Sequence, residues 1–345
     1  VWVAAPGCTF LPVGGSPTSR GAAKPSPMGH GLIEHRAAFH VHCWLSHDSE
    51  GRIEDIAAAA RSLGLDTVIL SDHYAPGNIE RAPRGVHHDV LFLPGVELRA
   101  GKGGSIVAFP LESDFSNKLS PAERLAEMAR QGAVTAIGHV EENLDWGLGP
   151  FQAFEAYNLH AEFKAQSVWA LAGRFLFYTP DAFFEAAVRT PTENLITLDR
   201  ELARGRRLGV LAGHDAHANV HVLGATIGTY PEMLRLFSNH ILTAAWTVEA
   251  IAAGVRAGRT FVVFDFLGDG TGFSMSYGEK GAAPEARAIL GDEAPYRAEH
   301  TLDVSVPGLA GDPVRIRLLR DGQSLLETDA LRFHATLSGP GVYRA

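Results

Sequence analysis

Five short apolar runs in this chain each close on an imidazole or a carboxylate. They read "AAFHVH" from residue 37, "DTVILSDH" from 66, "VLFLPGVEL" from 90, "AVTAIGH" from 133 and "RLGVLAGHDAH" from 207. Helical stripes lie between them. "RIEDIAAAARSLG" sets Ile53, Ile56, Ala60 and Leu63 on one face and stops at Gly64; "SPAERLAEMARQG" opens on a Ser120 cap with Pro121 in its first turn. Short buried strands alternating with helices are the pattern of a parallel α/β architecture. In such folds the carboxyl ends of the strands share one rim, so the five polar endings are expected to converge on one pocket.

A single His-x-His says little, because alternate strand residues face the same way and fit a pair of exposed side chains equally well. Recurrence changes the balance. After a buried strand the ordinary expectation is a turn residue such as Gly or Asn, yet here His or an acid returns each time. The set is imidazole and carboxylate, and the chain has only two cysteines, Cys8 and Cys43, among its sixteen histidines. That ligand chemistry suits Zn2+, Mn2+ or Fe2+ in a hydrolytic centre better than structural zinc.

The rest of the composition excludes more than it assigns. Acidic residues outnumber basic ones 39 to 30 in 345 residues, and the Lys and Arg residues are scattered, which argues against nucleic acid as a partner. No apolar run is long enough to cross a bilayer. Residues 1–36 read as a flexible leader; "VWVAAPGCTF" fits either a secretory or lipoprotein remnant or an arbitrary fragment start, so the compartment stays open between cytoplasmic and extracytoplasmic. Residues 37–284 carry the strand and helix pattern. Residues 285–345 alternate without helical stripes, turn at Asp321-Gly322, and read as a small β domain of Ig-like sandwich type with its end cut short.

In this order the motifs resemble the PHP (polymerase and histidinol phosphatase) superfamily, and within it the CehA/McbA-like metallohydrolases, from about His40 to Arg259. The resemblance implies a distorted (β/α)7 barrel with two or three divalent cations at the carboxyl ends of its strands. Carried over residue by residue, it makes His40, His42, Glu97 and Asp215 the shell of one metal, Glu97 a bridge to a second held by His139, and Asp48, His73 and His217 a third site. "HCWLSHDSEG" has one residue more than the family pattern, so His47 competes with Asp48 as the first acid or base of the set; Asp48 is preferred. Where many relatives carry a histidine after the bridging glutamate, this chain has Ser105, which leaves the second site weak, filled by water, or completed by His160.

Other polar residues carry weaker expectations. Asp72 is expected to orient His73, and Glu155 with Asn158 matches an E-x-x-N feature of relatives that would hold the ligands together. Arg99 lies two residues beyond Glu97, on the same strand face, and could clamp an anionic group, with Arg259 as a second candidate. His87 and His88 read as solvated loop residues, His214 as a lesser candidate for substrate contact, and Cys43 as packing.

The expected activity is metal-dependent hydrolysis of a small-molecule substrate, a phosphate ester first and an aryl carbamate, ester or amide as the alternative, with Glu97 and Asp215 neutralising the metals and Arg99 assisting. A metal-binding module without turnover is the rival from another class. Oligomeric state is not legible.

Overall fold

The computed structural model describes residues 24–25, 28–99, 103–142, 145–222, 224–307 and 314–345. Eleven of its strands build the larger part of the molecule: β1 Ile33–Val41, β2 Thr67–Leu70, β3 Asp72–His73, β4 Val90–Leu93, β5 Val96–Arg99, β6 Ser105–Phe109, β7 Val134–Gly138, β8 Ala153–Asn158, β9 Gly209–Gly213, β10 Ser238–Thr243 and β11 Thr260–Val263. One sheet runs β11-β10-β1-β2-β4 and ends on the short strand Gly85–His87; a second runs β9-β8-β7-β6-β5-β3. The chain passes from the first sheet to the second between β2 and β3 and between β4 and β5, and returns after β3 and after β9.

Backbone hydrogen bonds also link β1 to the segment after β9: His214 N donates to Phe39 O at 2.9 Å, Asp215 N to His40 O at 2.6 Å and His42 N to Ala216 O at 3.1 Å. Side chains from both sheets meet in one buried cluster that includes Phe39, Ile69, Leu93, Val107, Ala136, Leu211 and Ile241. The Ile53–Ser62 and Pro121–Arg130 helices form where their stripes predict, the second with the Ser120 and Glu123 capping box in place.

Two expectations about strands are corrected. The pairing is not all parallel, because β6 runs antiparallel to both β5 and β7. This reversal brings the first residue of β6, Ser105, onto the rim where its neighbours end. The sequence pattern over 231–238 predicts a helix, but the structure holds only the short helix Tyr230–Leu234 and then β10, which pairs antiparallel with β1 and β11. A capping box between Thr229 and Glu232 starts that helix, and the strand behind it hides among its polar residues Ser238, Asn239 and His240, all buried.

The C-terminal part holds a four-stranded sheet containing Ser274–Glu279, His300–Ser305 and Arg332–Thr336, and a three-stranded sheet containing Ile316–Arg320 and Gln323–Thr328. Asp321 and Gly322 turn between the last two with φ of 51° and 79°, as an Asp-Gly hairpin requires. Ser274–Glu279 pairs along its length with His300–Ser305. Met28 and Leu32, within the expected leader, are buried with Phe273, Met275 and Leu302. Residues 1–23 lie outside the described residues.

Candidate metal centre

The rim assembles the predicted residues from separate elements. His40 lies at the end of β1 and His42 directly after it, Asp48 sits in the loop that follows, His73 ends β3, Glu97 lies in β5, His139 comes directly after β7, and Asp215 and His217 follow β9. His40, His139 and Asp215 each adopt positive φ, 60°, 47° and 51°. For residues with a Cβ that conformation costs on the order of 1 kcal/mol each, and it persists because backbone hydrogen bonds and side-chain tethers fix the bend at each strand end.

The side chains meet closely. His40 Nε2 lies 3.6 Å from Glu97 Oε2 and 3.7 Å from Asp215 Oδ1; His42 Nε2 lies 3.3 Å from Asp215 Oδ1. His139 Nε2 lies 3.3 Å from Glu97 Oε1 and 3.5 Å from Asp215 Oδ2. Asp48 Oδ2 stands 3.2 Å from His73 Nε2 and 3.5 Å from His217 Nε2. Among the described residues four overlapping sets have ligand atoms mutually within 4.8 Å: His40, His42 and Glu97; His40, His139 and Asp215; His42, Asp48, His73 and His217; and His139 with the exposed Glu141 and Glu142. His42 thus faces two of the sets.

These side chains fit divalent cations by a test independent of resemblance. His40 Nε2, His42 Nε2 and Glu97 Oε1 are buried and have no hydrogen-bond partner among the described residues. Buried polar atoms are rarely left so, and here they converge on one point. The opposite ring nitrogens are held: His40 Nδ1 lies 2.5 Å from Glu155 Oε1, His42 Nδ1 2.9 Å from Ser46 Oγ, His139 Nδ1 3.1 Å from Glu141 Oε1 and His217 Nδ1 2.9 Å from Asp215 O. An imidazole that gives its Nδ1 proton to such an acceptor presents the Nε2 lone pair to a metal.

The electrostatics agree. Burial opposes the charges of Asp215 and Glu97, but His40 and His42 beside Asp215, and His139 and His40 beside Glu97, hold both carboxyls well below the usual carboxylate range. Burial pushes His42 down to about 4. His40 goes the other way: burial lowers it, yet Glu155 and Asp215 raise it well above the usual imidazole value. His139 is likewise lowered by burial and raised more by Glu141 and Glu97, to about 10.

Other expected residues take different places. Asp48 rather than His47 joins His73 and His217; His47 is exposed, its ring 5.1 Å from that of His73. Asp72 does not hold the His73 ring. It accepts from Cys43 N at 2.7 Å and Cys43 Sγ at 3.1 Å, so Cys43 is packed and hydrogen-bonded at once. Glu155 and Asn158 do brace the centre: Glu155 Oε2 accepts from His139 N at 2.8 Å and Asn158 Nδ2 at 3.3 Å. His160 stands beside His217, ring centroids 5.8 Å apart, and belongs to none of these sets.

His214 is fully buried, stacked on Phe237, with its ring nitrogens 3.1 and 3.0 Å from the carbonyls of Phe39 and Phe237; it braces the strand ends and does not face a substrate. Arg99 stands on the rim but is ion-paired with Glu142. Arg259 turns away and pairs with Asp292 at 3.3 Å. His87 and His88 are exposed. Sequence reasoning missed Ser46 and the bracing by Glu141; "HVEE" displayed the acid beside His139, while nothing marked Ser46 apart from other loop serines.

No protein-family model and no curated protein matches the sequence. Among solved structures the chain is similar to a two-domain protein from Bacteroides vulgatus containing a predicted PHP-like metal-dependent phosphoesterase, with 13% identity over 95% of this chain and 90% of that one and a TM-score of 0.44. It is also similar to PsfC from Pseudomonas syringae, with 16% identity, 67% and 91% coverage and a TM-score of 0.37. The first neighbour is PHP-like.

Proposed function

We propose that this chain is a metal-dependent hydrolase of the PHP type, built on a distorted seven-stranded barrel with an Ig-like β domain after it, and acting on a small phosphate ester. The observation that carries the reading is the convergence of buried, unpartnered His40 Nε2, His42 Nε2 and Glu97 Oε1 at one rim. His40, His42, Glu97, His139 and Asp215 would hold two cations, and Asp48, His73 and His217, with His42, a third. Divalent cations so held polarise a substrate oxygen and lower the pKa of water toward neutrality.

The chain's own residues do the rest. Glu97 and Asp215, ionised and buried, offset cationic charge that burial would otherwise make costly. Glu155, Ser46 and Glu141 fix the ring orientation of three imidazoles. Asp48, about one-third exposed between His73 and His217, lies on the solvent side where substrate enters.

A second reading, hydrolysis of an aryl carbamate or carboxylic ester, is favoured by one observation. Arg99, the cation nearest Glu97 in sequence, is already neutralised by Glu142, with Glu141 next to it, so this part of the rim is acidic and poorly suited to a phosphate dianion. Metal analysis followed by a screen of nitrophenyl phosphate, bis-nitrophenyl phosphate and naphthyl carbamate separates the readings. Less than one equivalent of tightly held cation after loading with Mn2+ or Zn2+ would remove both.

A further inference from the structure

The loop that leaves β1 carries Trp44 between His42 and Asp48, and the segment that leaves β3 carries the short helix Asn78–Arg81, five residues beyond His73. The guanidinium carbon of Arg81 stands 5.6 Å from the centroid of the Trp44 ring, a cation over an indole face. Both side chains are exposed, Trp44 to 49%, although Cys43, Leu45 and Ser46 around it are buried. The loop therefore turns its largest apolar surface outward, beside two of the proposed ligands.

The pair is held in place. Trp44 N donates to Gly51 O at 2.8 Å, which closes the loop. Asn78 is buried; its amide donates to Leu45 O at 2.7 Å and His73 O at 3.1 Å and accepts from Arg81 Nη2 at 2.8 Å. One amide thus ties the guanidinium both to the backbone next to Trp44 and to the carbonyl of His73. Arg81 Nε donates to Gly77 O at 2.9 Å. Both acceptors are neutral, and among the described residues no carboxylate pairs with Arg81, whereas Arg84 pairs with Glu112 and Glu249 and Arg99 with Glu142. Its remaining N–H groups and its charge are open to a ligand.

We propose that Trp44, seated on Arg81, forms a subsite that receives a planar aromatic group of the substrate while the cations hold the bond to be cut. It rests on the metallohydrolase reading above, gives that site an aromatic ester or carbamate as its substrate class, and holds whichever bond is cut. A ring laid on the open part of the indole gains offset stacking beyond the area it buries, which a saturated ring of the same size does not. A tryptophan already held by its neighbours loses little side-chain freedom on binding. The uncompensated guanidinium also favours an anionic ester on this side of the rim, unlike the corner where Glu142 neutralises Arg99.

The test is calorimetric titration of the full chain, loaded with Zn2+, with two phosphonates that contain no ester bond, benzylphosphonate and cyclohexylmethylphosphonate. The parent is expected to bind the benzyl ligand about five-fold more tightly. Trp44→Leu, which keeps apolar bulk without a π face, is expected to bring the two to parity, and Trp44→Phe to keep a preference of at least about two-fold. Arg81→Gln is expected to weaken the benzyl ligand about three-fold. Bound Zn2+ is counted in every variant by elemental analysis. A parent-like preference in Trp44→Leu, equal loss in the Phe and Leu variants, or parent-like benzyl affinity in Arg81→Gln overturns the inference. So does loss of Zn2+ in Trp44→Leu, which would make the indole a brace of the ligand loop. If the parent holds no cation, the hydrolase reading falls and takes this inference with it; if it holds cations but binds the two phosphonates equally, or neither, only the inference falls.

Discussion

The Nδ1 of His40 lies 2.5 Å from Oε1 of Glu155, both side chains buried, and the other oxygen of that glutamate holds the backbone N–H of His139 at 2.8 Å. One carboxylate therefore sets a ring on β1 and a strand end on β7. Room for it is made by a glycine: a Cβ on Gly213 would lie 1.9 Å from Glu155 Oε1. Glu155→Gln can accept only one of the two N–H groups, and Gly213→Ala displaces the carboxylate outright. Both variants are expected to lose about ten-fold or more in cation affinity. Calorimetric titration with Zn2+ checks this, and parent-like affinity in both would mean the tether is dispensable.

Glu97 stands between His73 Nδ1 at 3.2 Å on one oxygen and His139 Nε2 at 3.3 Å on the other. Glu97→Gln keeps the shape but removes the charge that offsets the cations, so hydrolysis of whichever substrate the screen identifies should fall by at least about 10²-fold, roughly 3 kcal/mol in the barrier. His87→Ala, on an exposed loop, should change the rate little. Steady-state rates of metal-loaded, folded variants are the measurement.

Cation binding should release protons. With no cation beside them, His40 and His139 are raised above the usual imidazole value and hold protons at neutral pH, whereas His42, pushed down to about 4, does not. A cation must displace the protons on the first two, so apparent affinity should rise with pH from 6 toward 10, where His139 loses its proton unaided. Titration in buffers of different ionisation enthalpy measures the release directly. An affinity flat with pH over that interval would show that these imidazoles do not ligate.

What was legible in the sequence follows from what strands do locally. A buried run that closes on His or Asp declares itself, so His40, His73, His139, Asp215 and His217 could be named before the fold was known. Glu97, a lone buried acid in an apolar strand, carried the same kind of signal. Orientation between strands was less legible. Nothing local in "SIVAF" separates a strand antiparallel to its neighbours from a parallel one, and β10 hides its strand character behind Ser238, Asn239 and His240, whose partners, such as Glu34 for His240, are far along the chain. Bracing residues share that difficulty: Ser46 resembles any loop serine until His42 and His73 are brought to it by the fold.

Ser105 stands where relatives were expected to supply an imidazole, and the antiparallel run of β6 sets it opposite Arg99 and Gly138, at the rim next to His139. Its hydroxyl is fully buried and has no hydrogen-bond partner among the described residues. A buried hydroxyl without a partner is a cost, so Ser105→Ala should leave stability unchanged or raise it by about 1 kcal/mol, and it should leave the number of bound cations unchanged. Ser105→His should not create a stronger site, as the resemblance alone suggests. The position has no exposed surface, and forcing in an imidazole would strain the packing by about 1–3 kcal/mol. Thermal unfolding of the metal-free variants, paired with elemental analysis after loading, tests both expectations. Loss of one equivalent in Ser105→Ala would make the hydroxyl a ligand after all, and a tighter second cation in a stable Ser105→His variant would show that the rim opens more readily than its burial implies.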